Sequence, residues 1–544
     1  MKQKIPRSGK PKRQSRLTAR KLSSAALGLT AMAMLSGCDL APQYKPPQFI
    51  VPASWNGQAP FAKATPADTQ IPTDWWTLFS DPVLNDLESR AVAQNADLQA
   101  AAERFTQARS LVMRARADLL PHFGLAFGAS DNKQSADALF RYKGAITQTD
   151  EFYGGLASWE PDFWSEIRNQ VRMSKYAAQQ KAADFAAARL SIEAELANDY
   201  IALRGYDAQE AIYDRSISYY EKAVSMTKTQ MDNQAAPRLD LARAQNRLYV
   251  TQAAELDLKA QRQVTEHAIA VLTNTAPESF HIAPLNRFDL RQVSVPLSVP
   301  SDLLQRRPDI AADERTMAQA NASIGVSRAA FYPHISLHAD GGFHANGFDL
   351  ANLANSAWSY GATASMPIFE GGMRRAALQY AWSAYRETRD DYRSSVLSAF
   401  REVEDQLSRT RLLHAEDLRL RQAVSTAIDM QNMTMTLYKG GLSDYLSAIV
   451  AQEAALEAQI SEVQVAARSV QASVSLIRSL GGGWNDRLLP TPDQTMSFDV
   501  LQYDGLHHPA PAGGIETTEP AKYENLTGAT VIPHTLAATA RRAG

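Results

Sequence analysis

Along this chain the spacing of apolar residues switches between a period of two and a period near three and a half. From His334 to His344, Ile335, Leu337, Ala339, Gly341 and Phe343 fall on one side, and Ser336, His338, Asp340 and Gly342 on the other. That alternation predicts a strand with two unlike faces. Residues 357–366 set Trp358, Tyr360, Ala362, Ala364 and Met366 against Ser359, Gly361, Thr363 and Ser365. Two weaker alternations come earlier: Phe123, Leu125 and Phe127 against Gly124, Ala126 and Gly128, then residues 152–160 with Tyr153 and Trp159. Each is close to the roughly ten residues that a tilted membrane strand needs. A half-buried soluble sheet explains any one of them taken alone.

The helical stretches follow the other period. Leu446, Ile449, Glu453, Leu456, Ile460, Val463, Ala467, Val470, Val474 and Ile477 recur at spacings of three and four, a heptad seam in which Glu453 is the one charge. Val396, Phe400, Val403 and Leu407 repeat that spacing in the preceding run. No Gly or Pro interrupts residues 373–439, which at 1.5 Å per residue predicts a rod of roughly 100 Å. The segment Arg116-Ala117-Asp118-Leu119-Leu120-Pro121-His122 returns as Arg328-Ala329-Ala330-Phe331-Tyr332-Pro333-His334. Each copy closes a helical stretch, opens a strand and precedes a long helix, so the chain reads as one elongated body of two duplicated halves.

Topology converts this pattern into a constraint. Four strands are too few to close a membrane barrel, and an open sheet edge in lipid leaves backbone donors unpaired at several kcal/mol each. A membrane reading of these strands therefore requires several chains around one barrel.

Charge and cysteine usage add an address. The first 21 residues carry nine Lys or Arg and no acid, then Leu22–Leu35 is uncharged and too short to span a bilayer, and Leu35-Ser36-Gly37-Cys38 follows. This is the layout of a signal peptide, and its last four residues resemble a lipoprotein lipobox. Cys38 is the only cysteine, so disulfides within one chain are excluded and lipidation is its expected use. Asp39 follows it, a residue that in enteric bacteria bears on which membrane a lipoprotein reaches. Cleavage removes those nine positive charges and moves the formal net charge from −2 to −11, which leaves nucleic-acid binding little electrostatic support.

The expected division is a signal peptide over 1–37, a lipidated arm over 38–84, a first structural repeat over 85–275 and a Pro-rich linker over 276–308. A second repeat over 309–484 and a partly disordered tail over 485–544 complete it. Trp75, Trp76 and Phe79 bring enough apolar area to dock the arm on the body.

Four further stretches resemble the outer-membrane efflux proteins, the TolC-like factors, and within them the lipoprotein branch called NodT or OprM type. They are Leu303-Leu304-Gln305-Arg306-Arg307-Pro308-Asp309-Ile310, Ala320-Asn321-Ala322 through Ile324-Gly325 to Pro333, Pro367-Ile368-Phe369-Glu370-Gly371-Gly372, and Leu480-Gly481-Gly482-Gly483-Trp484. The resemblance implies a mainly α fold with a small membrane β part, a homotrimer whose α-barrel runs into a 12-stranded β-barrel. It also implies a passive efflux duct in the outer membrane, docked on a periplasmic adaptor and fed by an inner-membrane pump of RND or related type. Carried onto this chain, the docking tips are Gln234-Ala235-Ala236-Pro237 and Lys439-Gly440-Gly441-Leu442, the first lacking the family's Gly. The tunnel constriction falls at Leu446, Ser447, Val450 and Glu453, and the closing network at Asp240 and Tyr438, with Arg238 or Lys439 as candidate partners of Asp240. Where members commonly place carboxylates beyond the constriction, this chain has Ser447 and Val450, which predicts a more apolar gate.

Other classes are weaker. No phosphate loop, zinc spacing or nucleophile elbow stands in a supporting context, so no enzyme, metal or cofactor is expected. His122 and His334 occupy equivalent repeat positions at strand starts and read as barrel interface residues, while Met430, Met433 and Met435 read as filling of an irregular helix seam. A type I secretion exit duct shares the expected architecture. A lipid-held coiled-coil scaffold explains the rods and Cys38, but not the paired strands.

Overall fold

A computed structural model describes residues 38–47, 71–133, 135, 148–290, 292–293, 295, 303–345 and 352–496. The signal peptide, part of the arm and residues 497–544 of the tail lie outside the described residues.

The fold is mainly helical and visibly duplicated. Helix α1 spans Pro82–Gln94, α2 Ala96–Ala117, α3 Glu166–Asp232 and α4 Arg238–Leu272. A short turn of helix, α5 at Leu303–Arg306, leads to α6 at Pro308–Ala329, α7 at Met373–Lys439 and α8 at Tyr445–Ser479. Corresponding helices have equal lengths: 22 residues for α2 and α6, 67 for α3 and α7, 35 for α4 and α8. The uninterrupted rod read from the sequence is α7 to the residue.

Local chemistry sets the ends. Pro308 opens α6 at a position that has no intrahelical use for its missing N–H, and Asp309 accepts from the Ile310 N–H at 2.9 Å while binding Arg307 through Nη2 at 2.6 Å. Asp444 caps α8 by accepting from Ser447 N–H at 2.9 Å. Beneath the sheet, Ser165 before α3 and Gly372 before α7 both adopt a left-handed backbone.

Strands β1 (His122–Asn132), β2 (Gln148–Trp159), β3 (His334–Ala345) and β4 (Ser356–Ser365) form one antiparallel sheet in the order β1-β2-β3-β4. The β2–β3 pairing, with Tyr153 opposite Phe343, joins the two halves. One face of this sheet is bare and apolar: Phe123 is 81% exposed, Phe127 77%, Trp358 73% and Tyr360 76%. No described helix is long and apolar enough to cross a membrane.

The largest core lies where the helices of both halves meet. Trp75, Trp76 and Phe79 are buried there with Tyr200, Ile201, Val396, Val403, Leu407, Val470 and Ile477, so the arm docks as its aromatic content predicts. The seam of α8 is buried at Ile449, Leu456, Val463 and from Ala467 to Ile477, but its first member, Leu446, is 46% exposed. The start of the tail is ordered. Pro490 accepts from Gln179 Nε2 at 2.8 Å and Met496 accepts through its carbonyl from Arg109 Nη2 at 2.8 Å, so these first tail residues are held against the helices.

Candidate functional site

The two helix-helix turns lie far from the sheet at the opposite end of the long helices, and they share one backbone solution. After α7, Gly441 takes φ +72 and the Leu442 N–H closes onto the Leu437 carbonyl at 2.9 Å. After α3, Gln234 takes φ +58 and the Ala235 N–H closes onto the Gln230 carbonyl at 2.7 Å. Each turn is a left-handed C-terminal cap that satisfies carbonyls which the helix leaves unpaired. The missing Gly of the first tip is thus replaced by a glutamine in the same conformation. Ala235, Gly440 and Gly441 are exposed and Ala236 is half-buried.

Inside the tips, Met435, Tyr438, Tyr445, Ala448 and Ile449 pack with Ala223 and Ala244 into a separate apolar cluster. The Tyr438 and Tyr445 rings lie 5.4 Å apart, and the Tyr438 hydroxyl donates to Gln230 Oε1 at 2.8 Å. Burial, with Tyr438 second, pushes the Tyr445 phenol up to about 12, so it stays neutral. Met430 and Met433 are exposed and only Met435 fills the seam.

Leu446, Ser447 and Val450 are exposed on one side of the first turns of α8, with Val450 at 55%. Glu453, one turn on, is partnered: Arg247 Nη1 lies 2.9 Å from its Oε1, and the same guanidinium sits over the Tyr220 ring. Asp240 pairs with Arg243 at 3.5 Å, not with Arg238 or Lys439. Within one chain Asp240 and Tyr438 do not bond to each other, because α4 turns Asp240 toward its own next turn while Tyr438 reaches across to α3. Arg243, Arg247 and Gln230 escaped the sequence reading. The i,i+3 spacing of Asp240 and Arg243 is a signal that was there to use. The Arg247–Glu453 pair joins residues far apart in sequence and had none.

At the other end, the exposed thiol of Cys38 precedes an arm that grips the body. Asp39 lies 2.9 Å from Arg172 and accepts from Asn169 Nδ2 at 3.2 Å. Partial burial raises its carboxyl, but the bonds from Arg172, the Ala41 N–H and Asn169 outweigh this and hold it below the usual range. Tyr44 binds Glu314, and Arg328 donates to the Leu40 carbonyl at 2.9 Å. No group of three or more His, Cys, Asp or Glu suited to a metal occurs among the described residues.

Residues 87–275 and 299–482 match the family described as outer membrane efflux protein. Among characterised relatives, the outer membrane protein OprJ of Pseudomonas aeruginosa is 28% identical over 471 residues, covering 85% of this chain and 97% of that protein. The pyoverdine export outer membrane protein OpmQ of the same organism is 30% identical, covering 84% and 96%. Among solved structures, the outer-membrane channel OprN superposes with a TM-score of 0.76 at 28% identity, covering 82% of this chain and all of that one.

Proposed function

The chain belongs to the outer membrane efflux protein family, and from that premise we propose that it is the outer-membrane duct of a tripartite efflux system. The observation that carries this reading is the four-stranded sheet with a bare aromatic face and two outer strands, β1 and β4, that pair with no further strand among the described residues. In hydrocarbon such edges are untenable, and three copies joined edge to edge make a 12-stranded barrel with none. The long helices of a homotrimer then continue the barrel as an α-barrel across the periplasm.

In this reading Cys38 carries the lipid, Ala235, Ala236, Gly440 and Gly441 meet a periplasmic adaptor, and an inner-membrane pump of RND or related type supplies energy. The segment divisions at 37, 84, 275, 308 and 484 are functional units of the same design. Leu446, Ser447 and Val450 face the axis as an apolar constriction. Glu453 and Asp240 line its approach with their charge balanced by Arg247 and Arg243, and Asp240 and Tyr438 tie helices that must part on opening. The duct is passive and no residue in it is catalytic.

The purified protein in planar bilayers tests this. It is expected to form ion-conducting channels, and Leu446→Asp or Val450→Asp is expected to raise their conductance severalfold by wetting the constriction. No change in either variant contradicts the gate, and electrical silence of all forms contradicts the duct.

A further inference from the structure

The barrel reading gives the sheet an inside and an outside, and the inference rests on that reading. The strand pairings place Phe123, Phe127, Tyr153, Phe343, Trp358 and Tyr360 on one face. The other face carries His122, His334, His338 and His344, all exposed, together with Asp150 and Asp340. None of the four strands contains Lys or Arg, so imidazole is the only basic side chain on this wall. Four of the chain's 10 histidines are gathered here. Three copies supply twelve imidazoles and six strand carboxylates to one lumen.

The imidazoles are spread along the passage. On β3, His334 and His344 are ten residues apart, about 33 Å along a strand, with His338 between them. His122 Nε2 lies 3.8 Å from Asp118, and His334 Nδ1 lies 2.7 Å from Glu160 with Glu166 as its next carboxylate. His344 Nδ1 lies 3.2 Å from Asp150, and its ring is 4.8 Å from that of Phe152. His338 has the uncharged neighbours Ser158 and Gly361 on the flanking strands, and its ring covers Gly361 so closely that a Cβ there would come within 2.9 Å. The nearest charge along its own strand is Asp340, which accepts from Ser359 Oγ at 2.5 Å. Lys133, one residue past β1, stands at the outer rim.

We infer that this wall is a pH-responsive selectivity surface for small ions, favouring cations while its imidazoles are neutral and admitting anions as they take up protons. Imidazole changes charge between about pH 5 and 8, where carboxylates stay ionised. With neutral imidazoles the wall presents carboxylates alone, and low-dielectric walls focus that field on a permeating ion. A proton on each imidazole sets a cation beside Asp118 at His122, beside Glu160 and Glu166 at His334, beside Asp150 at His344 and two residues from Asp340 at His338, so the wall then no longer presents carboxylates alone.

The test is the zero-current potential of single channels under a KCl gradient, at pH 8 and at pH 5.5. In the wild type the K⁺ over Cl⁻ permeability ratio is expected to fall severalfold between the two. In His338→Gln/His344→Gln that fall is expected to shrink by at least half, while Asp340→Asn lowers the ratio at both pH values and leaves the fall intact. Wild type and variants share one helical end, so titration there cancels in the comparison. A ratio independent of pH, or a fall unchanged in the double variant, overturns the inference while the duct stands. Channels absent at every pH overturn the duct reading, and this one with it.

Discussion

At the start of α4 the chain places Leu239, Asp240 and Arg243, and at the same turn of α8, 207 residues later, it places Leu446, Ser447 and Val450. The helices have equal length and follow equivalent left-handed turns, so the backbone is not what distinguishes them. Side-chain chemistry is. One copy closes a charge pair on its own surface, and the other leaves apolar groups bare. A duplicated frame thus gives the chain two kinds of helix end, one that carries a charge pair and one that presents apolar groups able to exclude water.

The same division recurs in midbody. The first half buries Arg262, whose Nε lies 2.6 Å from Asp207 Oδ1, whose Nη1 lies 3.1 Å from Glu266 Oε2 and whose Nη2 donates to the Ile282 carbonyl at 2.8 Å. Arg204 joins through Asp207 at 2.9 Å and donates to the Ala283 carbonyl at 2.7 Å. This network clamps the linker onto α3 and α4. At the corresponding sites of α8 the chain buries Ser469 and Ser473 instead.

That contrast breaks most visibly at Arg262. Arg262→Met leaves Asp207 and Glu266 buried without their shared partner and is expected to cost about 3 to 5 kcal/mol, read as a large drop in melting temperature in detergent. Ser469→Met, its counterpart, has no charge to strand and is expected to cost less.

The tips give a smaller and signed contrast. Gly441 has open space around its missing Cβ, so Gly441→Gln tests conformational cost alone and is expected to destabilise by about 1 kcal/mol, while Gln234→Gly stabilises by a similar or smaller amount. Equal losses at both sites in thermal unfolding contradict the equivalence of the two turns.

The smallest effect separates the halves by pH. Burial first, and the Glu193 charge second, hold the Glu88 carboxyl on α1 well above its ordinary value of 4.5, with Arg189 opposing. A carboxyl raised in the folded state supports folding fully below its unfolded value, and that support is lost as pH rises from there toward the folded value. Glu88→Gln is therefore expected to raise the melting temperature by a few degrees at pH 8, with the gain vanishing near pH 4.5. A gain that is constant with pH assigns the effect to packing.

Much of this was legible beforehand. Period, Gly and Pro placement and the repeated Pro-His segment gave all four strands and the bounds of α7, because these are local signals that tertiary contacts only reinforce. The family motifs gave the positions of the two helix-helix turns. Partners on other helices were the opaque part: Arg247 for Glu453 and Gln230 for Tyr438 depend on how helices rotate against one another, which spacing along one helix does not encode, whereas Arg243 stands three residues from Asp240 on α4 and was there to be read. The contacts that hold the start of the tail were opaque for the same reason, since Gln179 and Arg109 reach it from distant helices.

The central claim is that one chain is unable to complete its own sheet in lipid. Its most direct measurement is the mass of the detergent-solubilised mature protein by native mass spectrometry. Three chains per particle is the expected result, and stable single chains that remain folded contradict the account.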